Sequence, residues 1–216
     1  MFVERLVVGP YQTNCYLLGN EETSSAWIID PGNDAQIIIR HLAERNVTPI
    51  AILLTHSHWD HITAIGDLKQ VWADLEVLVS EEDSIFLGKA GYERIKQVCF
   101  DTSFLQRYDK SLSLLCDPTG FLSDGQYLQD SHLLVLHTPG HTAGGLCFYH
   151  EEGQFVFTGD TLFAGSIGRT DLVGGSYEQI QESCRKLLQL PDEVQVLPGH
   201  GPTSTIANER SNPFLV

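Results

Sequence analysis

The chain has 216 residues, 42% of them hydrophobic, and a formal net charge of −15, which suits one α/β domain with a sizeable core and excludes wholesale disorder. So acidic a chain repels phosphate backbones, which argues against nucleic acid as partner but not against an anionic small molecule, because a bound divalent cation inverts the local field. No apolar run approaches the roughly 20 residues that span a bilayer, and the N-terminus lacks the basic-then-apolar pattern of a signal peptide.

Five scattered cysteines, Cys15, Cys99, Cys116, Cys147 and Cys184, include no C-x-x-C pair. That usage points to a reduced, cytoplasmic setting, with each thiol read first as a small buried hydrophobe.

Taken in chain order, the apolar runs at 15–18 and 26–29 read as strands. Residues 34–45 follow as a helix with Ile37, Ile38 and Leu42 on one face. A strand at 50–54 leads into a cluster of histidines and then a helix at 61–72, with a strand at 77–79 beyond. Residues 84–98 carry a helical pattern, whereas 100–120 mixes apolar and turn residues without a clean period. Strands are expected at 133–136, 146–149, 155–157 and 194–197. A helix at 177–188 opens on Ser176, with Gln179 three residues later in a capping-box pattern. Strands alternating with helices predict α/β layering in a single domain over residues 1–216. Residues 81–124 are expected to be either an insertion with its own small core or a lid over the active site.

Four strands end by delivering residues that can bind metal. The first runs into His56-Ser-His-Trp-Asp-His61, the second through Thr-Pro-Gly into His141, the third through Thr-Gly into Asp160, the fourth through Pro-Gly into His200. If these strands lie side by side, the seven residues can converge at their carboxyl ends, where open α/β sheets build sites. Imidazole and carboxylate are ligands for zinc, and also for iron and manganese. His56 and His58 point the same way in an extended segment and can grip one ion, while the two oxygens of Asp160 can bridge two ions. A lone His-x-His is weak evidence, but His-x-His-x-Asp-His with three further glycine-preceded donors is hard to explain by structure alone. The other histidines, His41, His132, His137 and His150, are read as structural, with His137 as an outer support if anything.

These motifs, with Pro139-Gly-His141, Thr158-Gly-Asp160-Thr161, Pro198-Gly-His200-Gly, Thr13-Asn-Cys-Tyr16 and Asp30-Pro-Gly32, resemble those of the metallo-β-lactamase superfamily in order and across nearly the whole chain. The resemblance implies an αββα four-layer sandwich, two mixed sheets with helices outside. It implies that His56, His58 and His141 hold one metal, that Asp60, His61 and His200 hold another, and that Asp160 bridges both. The stretch Gly159-Asp-Thr-Leu-Phe-Ala-Gly-Ser-Ile-Gly-Arg-Thr-Asp171 is similar to the glyoxalase II (hydroxyacylglutathione hydrolase) branch. Those enzymes carry a C-terminal helical region that helps bind glutathione, and this chain reaches only 16 residues past His200, so the resemblance leaves the particular thioester open. Within the superfamily, true β-lactamases lack a bridging aspartate at the position of Asp160, and flavodiiron proteins usually carry glutamate at that of His58. The nucleases fit poorly with so acidic a chain.

The expected activity is therefore hydrolysis of a thioester, a glutathione thioester or a similar one, by a hydroxide that two divalent ions activate, zinc first and iron or manganese as alternatives. Asp60 and Asp160 take the catalytic roles, Asp60 orienting the nucleophile and carrying a proton. Thr55, Ser57, Thr142 and Asp30 are candidate supports behind the ligands. Arg169, Lys89, Arg94 and Lys96 are candidate cations for an anionic substrate, with Tyr92 and Tyr177 as lining residues; an ion pair of Arg169 with Asp171 is the plainer alternative. Two other readings stand beside this one: a mononuclear iron persulfide dioxygenase, which shares the Gly168-Arg-Thr-Asp171 segment, and a non-enzymatic metal- or partner-binding protein that kept the fold.

Overall fold

The computed structural model describes residues 1–215; Val216, the last residue of the expected domain, lies outside them. The chain forms two compact units, Met1–Phe121 and the remainder from Leu122, each built on one six-stranded mixed sheet. No described helix is long and apolar enough to cross a membrane.

In the first unit the sheet runs in chain order from β1 (Phe2–Val8) through β2 (Thr13–Asn20), β3 (Ser25–Ile29), β4 (Thr48–Leu53) and β5 (Glu76–Val79) to β6 (Gly120–Phe121). The first three strands form an antiparallel meander, and β3 to β6 pair in parallel. Parallel pairing requires helical crossovers. These are α1 (Ala35–Glu44), α2 (Trp59–Ile62) with α3 (Ile65–Val71), and α4 (Gly88–Val98) with α5 (Thr102–Leu112). Strands β2 and β3, and β4 from Ala51 onward, read as continuous apolar runs because these positions are buried on both faces. Ile38 and Leu42 of α1 and Ile62 and Leu68 behind β4 complete one core with Cys15, Leu17, Ile28 and Ile52.

The second sheet has the order β14-β13-β10-β9-β8-β7, from β7 (Tyr127–Leu128), β8 (Leu133–His137), β9 (Leu146–His150), β10 (Phe155–Gly159), β13 (Gln195–Pro198) and β14 (Ser204–Thr205). A two-stranded ribbon, β11 (Leu162–Phe163) with β12 (Ser166–Ile167), follows β10. The crossover α6 (Tyr177–Leu187) buries Ile180, Cys184 and Leu187 against Cys147, Val156 and Val196. Ser176 caps α6 by accepting from the Gln179 amide at 3.3 Å, and the short α7 (Ile206–Glu209) packs Ile206 into the same core.

Several expected elements differ. The helix expected at 61–72 is two helices, because the Ala64 amide donates to the Pro31 carbonyl at 3.0 Å and Thr63 bonds back to Trp59. The pattern at 84–98 begins as a 3-10 turn over Glu82–Phe86, and Leu87 is extended before α4 starts. Residues 100–120 contain a full helix, α5, which buries only Phe104 and Leu112, too narrow a stripe to show a period. The four donor-bearing strands do not lie side by side: β4 belongs to the first sheet, and β9 separates β8 from β10 in the second.

Candidate metal centre

In the first unit, the ends of β3 and β4 set the scene. Asp30, just past β3, donates its amide to the Leu53 carbonyl at 3.2 Å and turns its carboxylate toward the residue after Leu54. One oxygen accepts the Thr55 amide at 2.8 Å, and the other accepts the Thr55 hydroxyl at 2.6 Å and His61 Nδ1 at 3.0 Å. A carboxylate only accepts, so His61 carries its proton on Nδ1 and presents the Nε2 lone pair. The Thr55 hydroxyl, having given its proton to Asp30, accepts from His56 Nδ1 at 3.1 Å and fixes that ring in the same tautomer. His56, His58 and His61 are buried, with ring centroids 4.1 Å apart for His56 and His61 and 4.8 Å for His56 and His58.

Asp60 completes this group. Its Oδ2 lies 3.7 Å from His61 Nε2 and accepts from the Thr13 hydroxyl at 3.3 Å. Gly32 lets the chain pass behind it; a Cβ there would stand 1.9 Å from the Asp60 carbonyl oxygen. Between the histidines, the Ser57 hydroxyl donates to the Asp83 carbonyl at 2.6 Å and its amide to the Asp83 carboxylate at 3.2 Å, which pins the loop to the 3-10 turn. Asp30, His56 and His61 each offer a donor atom within 4.8 Å of the others. Since three hydrogen bonds already occupy both Asp30 oxygens, Asp30 is read as the buttress of the imidazoles rather than as a ligand.

In the second unit the donors come from three strand ends. β10 and β13 are parallel neighbours, with Gly159 opposite Pro198, so Asp160 and His200 leave the sheet side by side. The Gly199 amide donates to the Gly159 carbonyl at 2.7 Å and locks the two loops together. His141 donates Nδ1–H to the Arg169 carbonyl at 2.7 Å, which again turns Nε2 outward. His141 Nε2 and His200 Nε2 each lie 3.6 Å from the same oxygen, Oδ2 of Asp160. Gly168 packs so closely under this group that a Cβ would meet the Asp160 carbonyl oxygen at 1.8 Å.

A separation of 3.6 Å is too long for a hydrogen bond. It is close to the roughly 3.4 Å that a tetrahedral ion with bonds of about 2.0–2.2 Å imposes on two of its ligand atoms. With the imidazoles of His56, His61 and His141 locked to offer Nε2 and carboxylate oxygens facing His61, His141 and His200, the donor sets of both units fit divalent metal in kind and in spacing.

The candidate substrate residues are placed differently. Arg169 forms a bidentate pair with Asp171 at 2.7 and 2.8 Å, and that hydrogen bonding holds the exposed Asp171 carboxyl down at about 2. Tyr177 is exposed at the start of α6 and accepts from Gln181 at 3.1 Å. Lys89, Arg94 and Lys96 stand on the exposed face of α4, Arg94 against the Ile85 carbonyl and Lys96 paired with Glu93 at 2.8 Å. Tyr92 donates to Asp109 at 2.6 Å. Thr142 is buried and its carbonyl accepts the Gly140 amide at 2.9 Å. His137 donates Nε2–H to the Ala143 carbonyl at 3.1 Å. Sequence reasoning gave no site role to Thr13, which it read only as part of a motif, and missed Asp83; both roles depend on contacts, 47 and 26 residues away. It also missed Asp101, although an aspartate three residues before an apolar position is a capping signal.

The Metallo-beta-lactamase superfamily profile matches residues 8–200, and the chain belongs to that superfamily. Its two mixed sheets with their helices are the metallo-β-lactamase fold. Among relatives, the probable metallo-hydrolase YqgX of Bacillus subtilis is 37% identical over 98% of this chain and 96% of its own length. The hydroxyacylglutathione hydrolase GloC of Haemophilus influenzae is 38% identical over 100% and 98%. Among solved structures, the BLEG-1 B3 metallo-β-lactamase superposes with a TM-score of 0.85 at 32% identity, covering 100% of both chains. TTHA1623 in a di-iron-bound form gives 0.80 at 33% identity over 98% of this chain and 100% of that one.

Proposed function

We propose that the protein is a dinuclear metallo-hydrolase that cleaves thioesters of the hydroxyacylglutathione type. The observation that carries the proposal is the single oxygen of Asp160 standing 3.6 Å from two imidazole nitrogens at once, the arrangement expected of a carboxylate shared by two ions. In this reading His56, His58 and His141 hold one ion, Asp60, His61 and His200 the other, and Asp160 both. Zinc is the first candidate, and the di-iron form of TTHA1623 makes iron the second. The bound ions would supply an activated water at neutral pH and a Lewis acid for the thioester carbonyl.

The chain's own residues do the rest. Asp60, with one oxygen steadied by Thr13, orients the attacking water and accepts its proton for transfer to the departing thiolate. Asp30 and the Arg169 carbonyl hold the imidazoles of His61 and His141 in the required tautomer. Residues 81–124 wall the substrate pocket, and the cytoplasm is the proposed compartment. The 38% identity to GloC supports the thioester over other esters.

The test is turnover of S-lactoylglutathione beside a panel of other thioesters, lactones, a β-lactam and a glutathione persulfide, before and after chelation and metal return. Metal-dependent thioester hydrolysis without oxygen uptake is expected. Full hydrolysis by the stripped protein, or oxygen uptake with the persulfide alone, would overturn the proposal.

A further inference from the structure

We infer that Phe100, braced against Trp59, forms an apolar wall for the acyl group, which makes this enzyme selective for acyl chains with a hydrophobic tail; the inference rests on the thioester reading above. Trp59 lies inside the histidine motif, between His58 and Asp60, and is 5% exposed, its ring 5.7 Å from that of His58. Against it stands Phe100, 60% exposed, with ring centroids 5.5 Å apart and planes at 76°, the edge-to-face contact that aromatic pairs favour.

Phe100 rests one edge on a core residue and leaves the rest of its ring in solvent. Phe100 is the middle of a three-residue link between α4 and α5. On one side the Cys99 amide donates to the Ile95 carbonyl at 2.8 Å and closes α4. On the other, Asp101 caps α5 by accepting the amides of Ser103 and Phe104, both at 3.0 Å, and the Ser103 hydroxyl at 2.6 Å. The remaining Asp101 oxygen accepts the Tyr11 hydroxyl at 2.6 Å, tying the link to the loop between β1 and β2, where the Tyr11 ring rests on Phe104 at 5.4 Å. The link that carries Phe100 is therefore fixed at both ends, and the phenyl ring stands against Trp59, whose own ring is 5.7 Å from that of His58.

Charge decides which part of the substrate lies there. Hydrogen bonds from Ser103 and Tyr11 hold the Asp101 carboxyl at about 2, so a fixed negative charge adjoins Phe100. A thiol bearing carboxylates is repelled from such a wall, whereas an uncharged acyl chain gains from it. Each methylene laid against the rings is worth roughly two- to fourfold in kcat/KM.

The experiment measures kcat and KM for acetyl, butanoyl and hexanoyl thioesters of one neutral thiol, N-acetylcysteamine, with metal-loaded wild type, Phe100→Ala and Phe100→Leu. Wild type should climb with chain length, and Phe100→Ala should flatten that climb. The expected loss is roughly 10-fold or more on the hexanoyl ester and less than about threefold on the acetyl ester, carried mainly by KM, with Phe100→Leu restoring most of it. An active wild type whose chain-length dependence survives in Phe100→Ala removes the wall alone. Conversion of a dimer to a monomer with unchanged selectivity makes Phe100 an interface residue and equally removes it. A wild type that hydrolyses none of the series removes the thioester reading and the wall together.

Discussion

The two units prepare donors by opposite means. In the first, four donors fall within six residues, and side chains hold them: Asp30 alone serves Thr55 twice and His61 once, and Thr55 passes the constraint on to His56. In the second, three donors come from three strand ends, and backbone holds them: the Arg169 carbonyl fixes His141, and the Gly199 amide ties the loop of His200 to that of Asp160. A side-chain buttress can be deleted by one substitution. A carbonyl cannot, so the second set should tolerate changes around it that the first does not. Close backbone approach is common to both, through Gly32 under Asp60 and Gly168 under Asp160.

The largest expected effect breaks the comparison at its donors. Asp160→Ala removes the oxygen that faces two imidazoles, and both bound metal and turnover should fall, the latter by about a thousandfold or more, since several kcal/mol of charge stabilisation disappear. Elemental analysis alongside kinetics checks it; an unchanged metal content would contradict the shared-oxygen reading.

Next comes Asp30→Ala, which leaves the buried Thr55 amide, Thr55 hydroxyl and His61 Nδ1–H without an acceptor. Each orphaned donor carries a penalty of about 1–3 kcal/mol, and metal affinity should drop on the order of 10- to 100-fold. Denaturant melts and competition with a chromogenic chelator read the two effects separately. Asp30→Asn, which keeps the shape and one acceptor, should lie between wild type and Asp30→Ala.

The smallest effect sharpens the contrast. Arg169→Ala removes an exposed ion pair but not the carbonyl that holds His141, so metal affinity should change by no more than about threefold. The pair has a pH signature. The Asp171 carboxyl sits at about 2 in the fold, below its ordinary value of 3.8, so its contribution is present above that ordinary value and fades as pH falls toward 2. Melting temperatures of wild type and Arg169→Ala should differ slightly at pH 6 and converge near pH 2. A gap that widens on acidification would reverse the sign of the argument.

What the sequence disclosed follows the same division. The hexapeptide of the first unit is local, so its residue types and spacing announce metal chemistry before any fold is known. Asp160 and His200 were legible because apolar strands with small-residue turns precede them, although periodicity did not reveal that β4 lies in another sheet. Strand β1 escaped notice because Val3 and Val7 are exposed while Leu6 and Val8 are buried, which leaves apolar residues on both faces and no alternation to read. Helix α5 was hidden by its narrow apolar stripe. The pairing of Tyr11 with Asp101 spans 90 residues, and the exposed Phe100 acquires meaning only beside Trp59.

The central claim is that one carboxylate oxygen stands between two metal ions. Crystals grown with zinc or iron, with anomalous differences recorded at the edge of the added metal, test it most directly. Two peaks about 3.5–4 Å apart, on either side of Asp160 Oδ2, are the result this account predicts. A single peak, or a pair with no contact to Asp160, would contradict it.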